Sequence, residues 1–190
     1  MKFLDALLGR TKPKPANLDA LFAIPNAAIS LEAAAGLKPA GSAAVCFRPA
    51  SGQEFAGTEG EIADLLALSG QESGATISQS QDSYGYHWIV VRDPDLGDVV
   101  TAVHMANATL AERGFGPQLL ASVFPFRADD GRVAHLVYLF KRGTFYPFAP
   151  TGPERRDNEL ELTVRGAVTG ELPVEEDLTR WFPIWGAPVP

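Results

Sequence analysis

Val99, Val103, Ala106 and Leu110 recur at steps of four, three and four, the spacing that gathers side chains on one face of an α-helix. The pattern predicts a helix over residues 98–113, with Asp95 or Asp98 capping its start and Gly114 stopping it. Segments 75–80 and 85–92 read as strands around Asp82-Ser83-Tyr84-Gly85, residue types that favour a turn, so they predict a hairpin. Residues 119–127 and 133–141 predict a second hairpin across Ala128-Asp129-Asp130-Gly131-Arg132, where aspartate-glycine tolerates the positive φ that a tight connection needs.

Residues 42–48, with the continuous apolar run 43–47 inside them, read as a buried strand. Residues 57–69 read as a helix with Ile62, Leu65 and Leu66 on its buried side. Residues 18–22 look like a helical turn that Pro25 interrupts; a helix resumes over 31–35 and ends at Gly36, ahead of Pro39. Residues 158–168 read two ways. Leu160, Leu162 and Val164 alternate like a strand, whereas Leu160, Val164 and Val168 have helical spacing. Glu159 and Glu161 behind a capping Asp157 tip the balance to helix. Residues 175–181 predict a last short helix before a proline-bracketed aromatic tail. A weak echo, helix then Gly-Φ-x-Pro then strand, occurs at 36–39 and again at 114–117.

Together these elements predict a single α+β domain. Its antiparallel sheet is built from 75–80, 85–92, 119–127 and 133–141, with the 98–113 helix laid across one face. The domain spans 16–190, preceded by an amphipathic segment and basic linker over 1–15. In that segment Phe3, Leu4, Leu7 and Leu8 share one side of a short helix that Gly9 stops.

With 190 residues, 46% hydrophobic and 21% charged, the chain has the composition of one ordinary folded domain. A formal charge of −7 argues against general nucleic-acid binding, which needs a basic face. The charge is uneven: Lys2, Arg10, Lys12 and Lys14 against Asp5 give residues 1–15 a net +3, leaving −10 for the rest. No apolar run suggests a membrane span of ~18–20 residues, and Asp5 interrupts the only candidate for a secretory h-region. A cytoplasmic protein is expected.

Candidate chemistry is sparse. Cys46 is the only cysteine, which excludes an intrachain disulfide and a thiolate zinc site; a buried free thiol is expected. His87, His104 and His135 form no local ligand pair and could meet only through folding. There is no nucleophile elbow, and Gly114–Pro117 closes a helix where an anion site would open one. The expectation is therefore a protein that is not an enzyme, with no metal and no cofactor.

The densest signal is HLVYLFKRGTFYPFAPTGPERRDNELEL, residues 135–162, where Lys141, Arg142, Arg155 and Arg156 flank Phe145, Tyr146 and Phe148. One reading makes these seven side chains a partner-binding surface that grips an acidic helix or lipid phosphates, with the rings as anchors. The other pairs the cations with Glu154, Asp157, Glu159 or Glu161. Trp181, Phe182 and Trp185 are read as a tail tying itself onto the core, the alternative being an exposed anchor. Phe3, Leu4, Leu7 and Leu8 either contact an anionic membrane surface, helped by the neighbouring cations, or dock on the domain's own sheet.

Four blocks carry a family resemblance: MKFLDALLGRTKPKPANLDALF at 1–22, DSYGYHW at 82–88, LVYLFKRGTFYPFAPTGPERRDNELEL at 136–162 and RWFPIWGAP at 180–188. With them the chain resembles the PspA-associated protein PspAB family, found with phage-shock-protein A homologues in envelope-stress systems. The resemblance implies association with PspA, a coiled-coil membrane-remodelling protein, at the cytoplasmic side of the membrane. It supplies no active-site residues. The element order is also similar to that of type III secretion chaperones, which bind partner segments without chemistry. The expected function is thus a non-enzymatic adaptor or chaperone-like protein for a PspA-type coiled coil, the alternative a peripheral membrane-binding protein.

Overall fold

Pro25 begins the first helix and does not interrupt it. In the computed structural model, which describes residues 17–48, 60, 64 and 75–190, a 3₁₀ stretch Leu18–Ala23 runs straight into α1, Ile24–Ala35. Pro25 occupies the first turn, where a missing N–H costs nothing because no carbonyl awaits it. Gly36, at φ 68°, closes α1 in the left-handed conformation. Contrary to the sequence expectation, Leu18–Ala35 is long and apolar enough, by length and composition, to cross a membrane. One side of it lies inside the fold, where Leu21, Ile24, Ala27 and Leu31 are fully buried, while Phe22 and Ile29 are exposed. The expectations for Phe3, Leu4, Leu7 and Leu8 lie outside the described residues. So does the 57–69 helix, except that Gly60 and Asp64 are helical.

The strands are β1 (Lys38–Pro39), β2 (Ser42–Phe47), β3 (Thr76–Gln81), β4 (His87–Arg92), β5 (Leu119–Arg127), β6 (Val133–Leu139) and β7 (Thr144–Phe148). They form one antiparallel sheet in the order β3-β4-β2-β5-β6-β7, with β1 paired to β5. Both predicted hairpins are present. The short ladder of β8 (Pro150–Gly152) and β9 (Arg155–Arg156) follows. β2 is inserted at the centre, between β4 and β5, which explains its unbroken apolar sequence: every residue from Ser42 to Phe47 is buried.

Helix α2 (Leu96–Leu110) lies on β2, β4 and β5 with Val99, Val103, Ala106 and Leu110 all inward. The Asp95 carboxylate caps it by accepting the amides of Gly97 and Asp98. Buried Asn107 pins it to the sheet, donating to the Ser122 hydroxyl at 2.9 Å. A wider final turn ends at Gly114, φ 91°. Helix α3 (Asn158–Val168), capped by Asp157, packs on α1 with Leu160, Val164 and Val168 buried. Helix is therefore the outcome for the ambiguous segment. Gly36 and Gly114, the echoing glycines, both precede the central pair β2 and β5. The strands after them are ordered differently on the two sides, so the echo records two helix stops.

Two expectations need correction. Strand β6 ends at Leu139, and the chain turns back through Gly143 (φ 67°) into β7, so the basic-aromatic stretch is a sheet strand and not a surface loop. Residues 175–181 make only a 3₁₀ turn, Leu178–Arg180. Val174 forms a parallel bridge to Phe145 instead, and the Glu175 amide donates to the Phe145 carbonyl at 2.7 Å. Pairing with the edge of β7 holds this segment extended.

Candidate binding groove

The period of two along each strand sends alternate side chains to opposite faces. Val45, Ile89, Phe124, Leu136 and Phe145 face the helices. Ala44, Cys46, Trp88, Ala121, Val137 and Tyr146 face the other way. Among the described residues no helix covers that second face, and the tail 181–190 crosses part of it instead. Trp181 stacks on Tyr146 with ring centroids 6.3 Å apart, and Trp185 meets Phe148 edge-on at 4.9 Å. The Tyr146 hydroxyl donates to the Phe182 carbonyl at 2.8 Å, and His135 Nε2 lies 2.7 Å from the Pro190 main-chain oxygen. The tail ties itself onto the core.

What the tail leaves uncovered is an apolar groove of 510 Å³. Cys46, Leu120, Ala121 and Leu139 form its floor, the β3–β4 hairpin supplies Asp82, Tyr84, Tyr86 and Trp88, and the tail supplies Phe182, Ile184 and Trp185. Small side chains at Cys46 and Ala121, paired across β2 and β5, make the floor shallow enough for another backbone to approach closely. The rim is open: Tyr84 is 65% and Phe182 57% exposed. Asp82 is the only carboxylate among the described lining residues, which include no Lys, Arg or His. Its carboxylate is engaged with Trp88 and two hairpin amides. Burial, with Asp82 adding to it, pushes the Cys46 thiol up to about 12, so it stays protonated and behaves as a small apolar group.

The seven side chains expected on a partner surface divide. Phe145, Tyr146 and Phe148 are buried on the two faces of β7, and of the three Tyr146 lines the groove. Arg142 donates to the Glu175 carboxylate, and Arg156 to that of Glu161 at 2.8 Å. Those acids are only 3% and 4% exposed. Arg156 also lies over the Phe148 ring at 5.3 Å and donates to the Trp181 carbonyl. Lys141 and Arg155 remain exposed. The pairing of Arg156 with Glu161 was among the sequence alternatives; the partner of Arg142, Glu175, was not. The groove as such was not foreseen, although Tyr146, expected on a partner surface, lines it. Its one sequence signal was the alternation of small and large side chains in SAAVCF, residues 42–47.

The histidines are dispersed. His87 and His135 project from opposite faces of the sheet, His87 beside Phe47 and His135 beside Phe148. His104 is on α2, 3.7 Å from the Asp19 carboxylate. Among the described residues no three His, Cys, Asp or Glu side chains group as metal ligands.

Comparison with curated proteins and with solved structures found no match, so the likeness to type III secretion chaperones stays one of element order. The family model described as PspAB, PspA associated protein B, matches residues 1–189. Matched from end to end, the chain belongs to the PspAB family.

Proposed function

We propose that this PspAB protein is a non-enzymatic adaptor, chaperone-like in action, that holds an amphipathic helix of a PspA-type coiled coil in the groove, at the cytoplasmic face of the membrane. Family membership supports the partner. The observation that carries the mode of binding is the apolar groove, floored by Cys46 and Ala121 and open between Tyr84 and Phe182. A coiled-coil helix presents an apolar stripe of side chains at a and d positions, and a concave apolar surface with aromatic walls is what such a stripe buries against.

Calorimetric titration with a PspA homologue tests this reading. Tyr84→Asp and Leu139→Asp, made separately, should each weaken binding by about tenfold or more, ~1.4 kcal/mol, while melting temperatures stay close to wild type. Unchanged affinity in both folded variants would remove the groove from the interaction.

A second reading, peripheral attachment through Phe3, Leu4, Leu7 and Leu8, is favoured by the net +3 of residues 1–15. It requires salt-sensitive co-sedimentation with anionic vesicles.

A further inference from the structure

We infer that residues 183–190 are a removable strap over the sheet face, hinged at Phe182–Pro183, and that lifting it lengthens the groove. The first support is how abruptly the anchoring of the tail stops. Trp181 is 7% exposed, its indole N–H donates to the Glu175 carbonyl at 3.0 Å, and its own carbonyl accepts from Arg156 at 2.9 Å. The Phe182 carbonyl accepts from the Tyr146 hydroxyl. Beyond it, among the described residues, no main-chain amide from Ile184 to Val189 donates a hydrogen bond, and neither does the Trp185 indole. The polar tie that remains is between His135 Nε2 and the Pro190 main-chain oxygen. A segment with so few bonds opens at far lower cost than the strands beneath it. Pro183, Pro188 and Pro190 keep φ fixed whether the strap is down or lifted, so it docks with a reduced loss of chain entropy.

The second support is what the strap covers. Ile184, Trp185, Ala187 and Val189 are only partly buried and pack against the cluster that holds Val123, Val137, Tyr146 and Phe148. The groove meets β2, β5 and β6 through Cys46, Ala121 and Leu139. Val123 and Val137, paired across β5 and β6, are the next side chains along on the same face. From Leu139 to His135, where the strap ends, β6 runs four residues, ~14 Å at ~3.4 Å each. That length takes one heptad of a coiled-coil helix, which rises ~10 Å at ~1.5 Å per residue. With the strap down, only the Leu139 end of β6 lines the groove.

Opening is read in the full chain without a partner. With Cys46→Ser removing the only native thiol, Val137→Cys places one on the face the strap packs against. A small thiol reagent should label it at a rate nearly independent of urea below the unfolding transition, because lifting the strap exposes little surface. Trp185→Ala, which removes the edge-on contact with Phe148, should raise that rate about tenfold. A rate that climbs with the slope of global unfolding, or one that Trp185→Ala leaves unchanged, overturns the strap.

The link to binding rests on the proposed function: a partner helix engages the lengthened groove only in the open form, so its apparent affinity is reduced by the fraction open. A PspA homologue should therefore bind Trp185→Ala at least about fivefold more tightly than wild type. Equal or weaker binding makes Trp185 a fixed wall and overturns the link. Fluorotryptophan incorporated into the otherwise unsubstituted chain gives a second readout that disturbs no packing. In the complex, the Trp185 fluorine signal should move to its position in the urea-unfolded chain, while that of Trp181 stays apart from its own unfolded position. A Trp185 signal that keeps its free-state position in the complex shows the strap still down and overturns the link. If neither Tyr84→Asp nor Leu139→Asp weakens binding, the groove reading falls, and the thiol labelling alone upholds or overturns the strap.

Discussion

One carboxylate oxygen of Asp82 accepts the indole N–H of Trp88 at 2.9 Å. The other accepts the amides of Tyr84 and Tyr86 at 2.9 and 3.0 Å. A single side chain thereby fixes both the β3–β4 turn and the aromatic wall of the groove. Asp82→Ala removes all three bonds from a half-buried site, and a loss of about 2 kcal/mol is expected at roughly 0.5–1.5 kcal/mol each with solvent partly compensating. Urea denaturation measures the loss. Titration with a PspA homologue should show weaker binding, because Trp88 and Tyr86 lose their fixed orientation.

The buried Glu175 carboxylate ties the extended segment after α3 to β7. It accepts from Arg142 and from the Thr144 hydroxyl at 2.9 Å, and from the Asp177 amide at 3.2 Å. Burial pushes its pKa up, but these donors outweigh that and hold it below the usual carboxylate range. A pKa lower in the folded than in the unfolded chain contributes stability above the unfolded value, and that contribution is lost as pH falls through the folded value. Glu175→Gln should therefore be less stable than wild type near neutrality, and the gap should close in acid below about pH 4. Urea midpoints across that range check it, and a gap independent of pH would contradict the assignment.

The four cations near β7 should separate by function. Arg156→Ala strips the nearly buried Glu161 of its cation, leaves the Trp181 carbonyl without its donor and uncovers the Phe148 ring. A cost of about 3 kcal/mol is expected, the range for breaking a buried pair. Lys141→Glu and Arg155→Glu change exposed side chains and should leave thermal stability within about 0.5 kcal/mol. If that double variant still loses affinity for a PspA homologue, the exposed cations belong to the interface as well. If it unfolds the protein, the division drawn between the two pairs is wrong.

His135 anchors the end of the tail beside Phe148. Its burial pushes the imidazole pKa below the usual value, only partly offset by the Pro190 oxygen. With the folded pKa below the unfolded one, the unfolded chain binds the extra proton first, so stability falls as pH drops below about 6.5. His135→Gln should flatten that slope in thermal melts between about pH 7 and pH 5. A slope as steep as wild type would place the titration elsewhere.

Helix α2, both hairpins, the strand Ser42–Phe47 and the caps at Asp95 and Asp157 were legible in the sequence because their signals are local. Helical and strand periods, and the side chains that satisfy the first amides of a helix, all lie within a dozen residues. Family membership was legible too, through blocks spread from residue 1 to residue 188. The fate of Phe145, Tyr146 and Phe148 was not. A run of rings and cations reads the same on a surface or in a core; what decides is whether neighbouring strands and a returning tail cover it. Here β6 pairs along one side of β7, Val174 bridges the other, and Trp181 and Trp185 of the tail pack on Tyr146 and Phe148 on the second face. Arg142 likewise finds Glu175 across 33 residues, a distance over which no local pattern operates. The groove is further still from the sequence: its lining comes from β2, the β3–β4 hairpin, β5, β6, β7 and the tail. Only the order of strands in the sheet brings those segments together, because long-range pairing is set by the burial of all the faces at once.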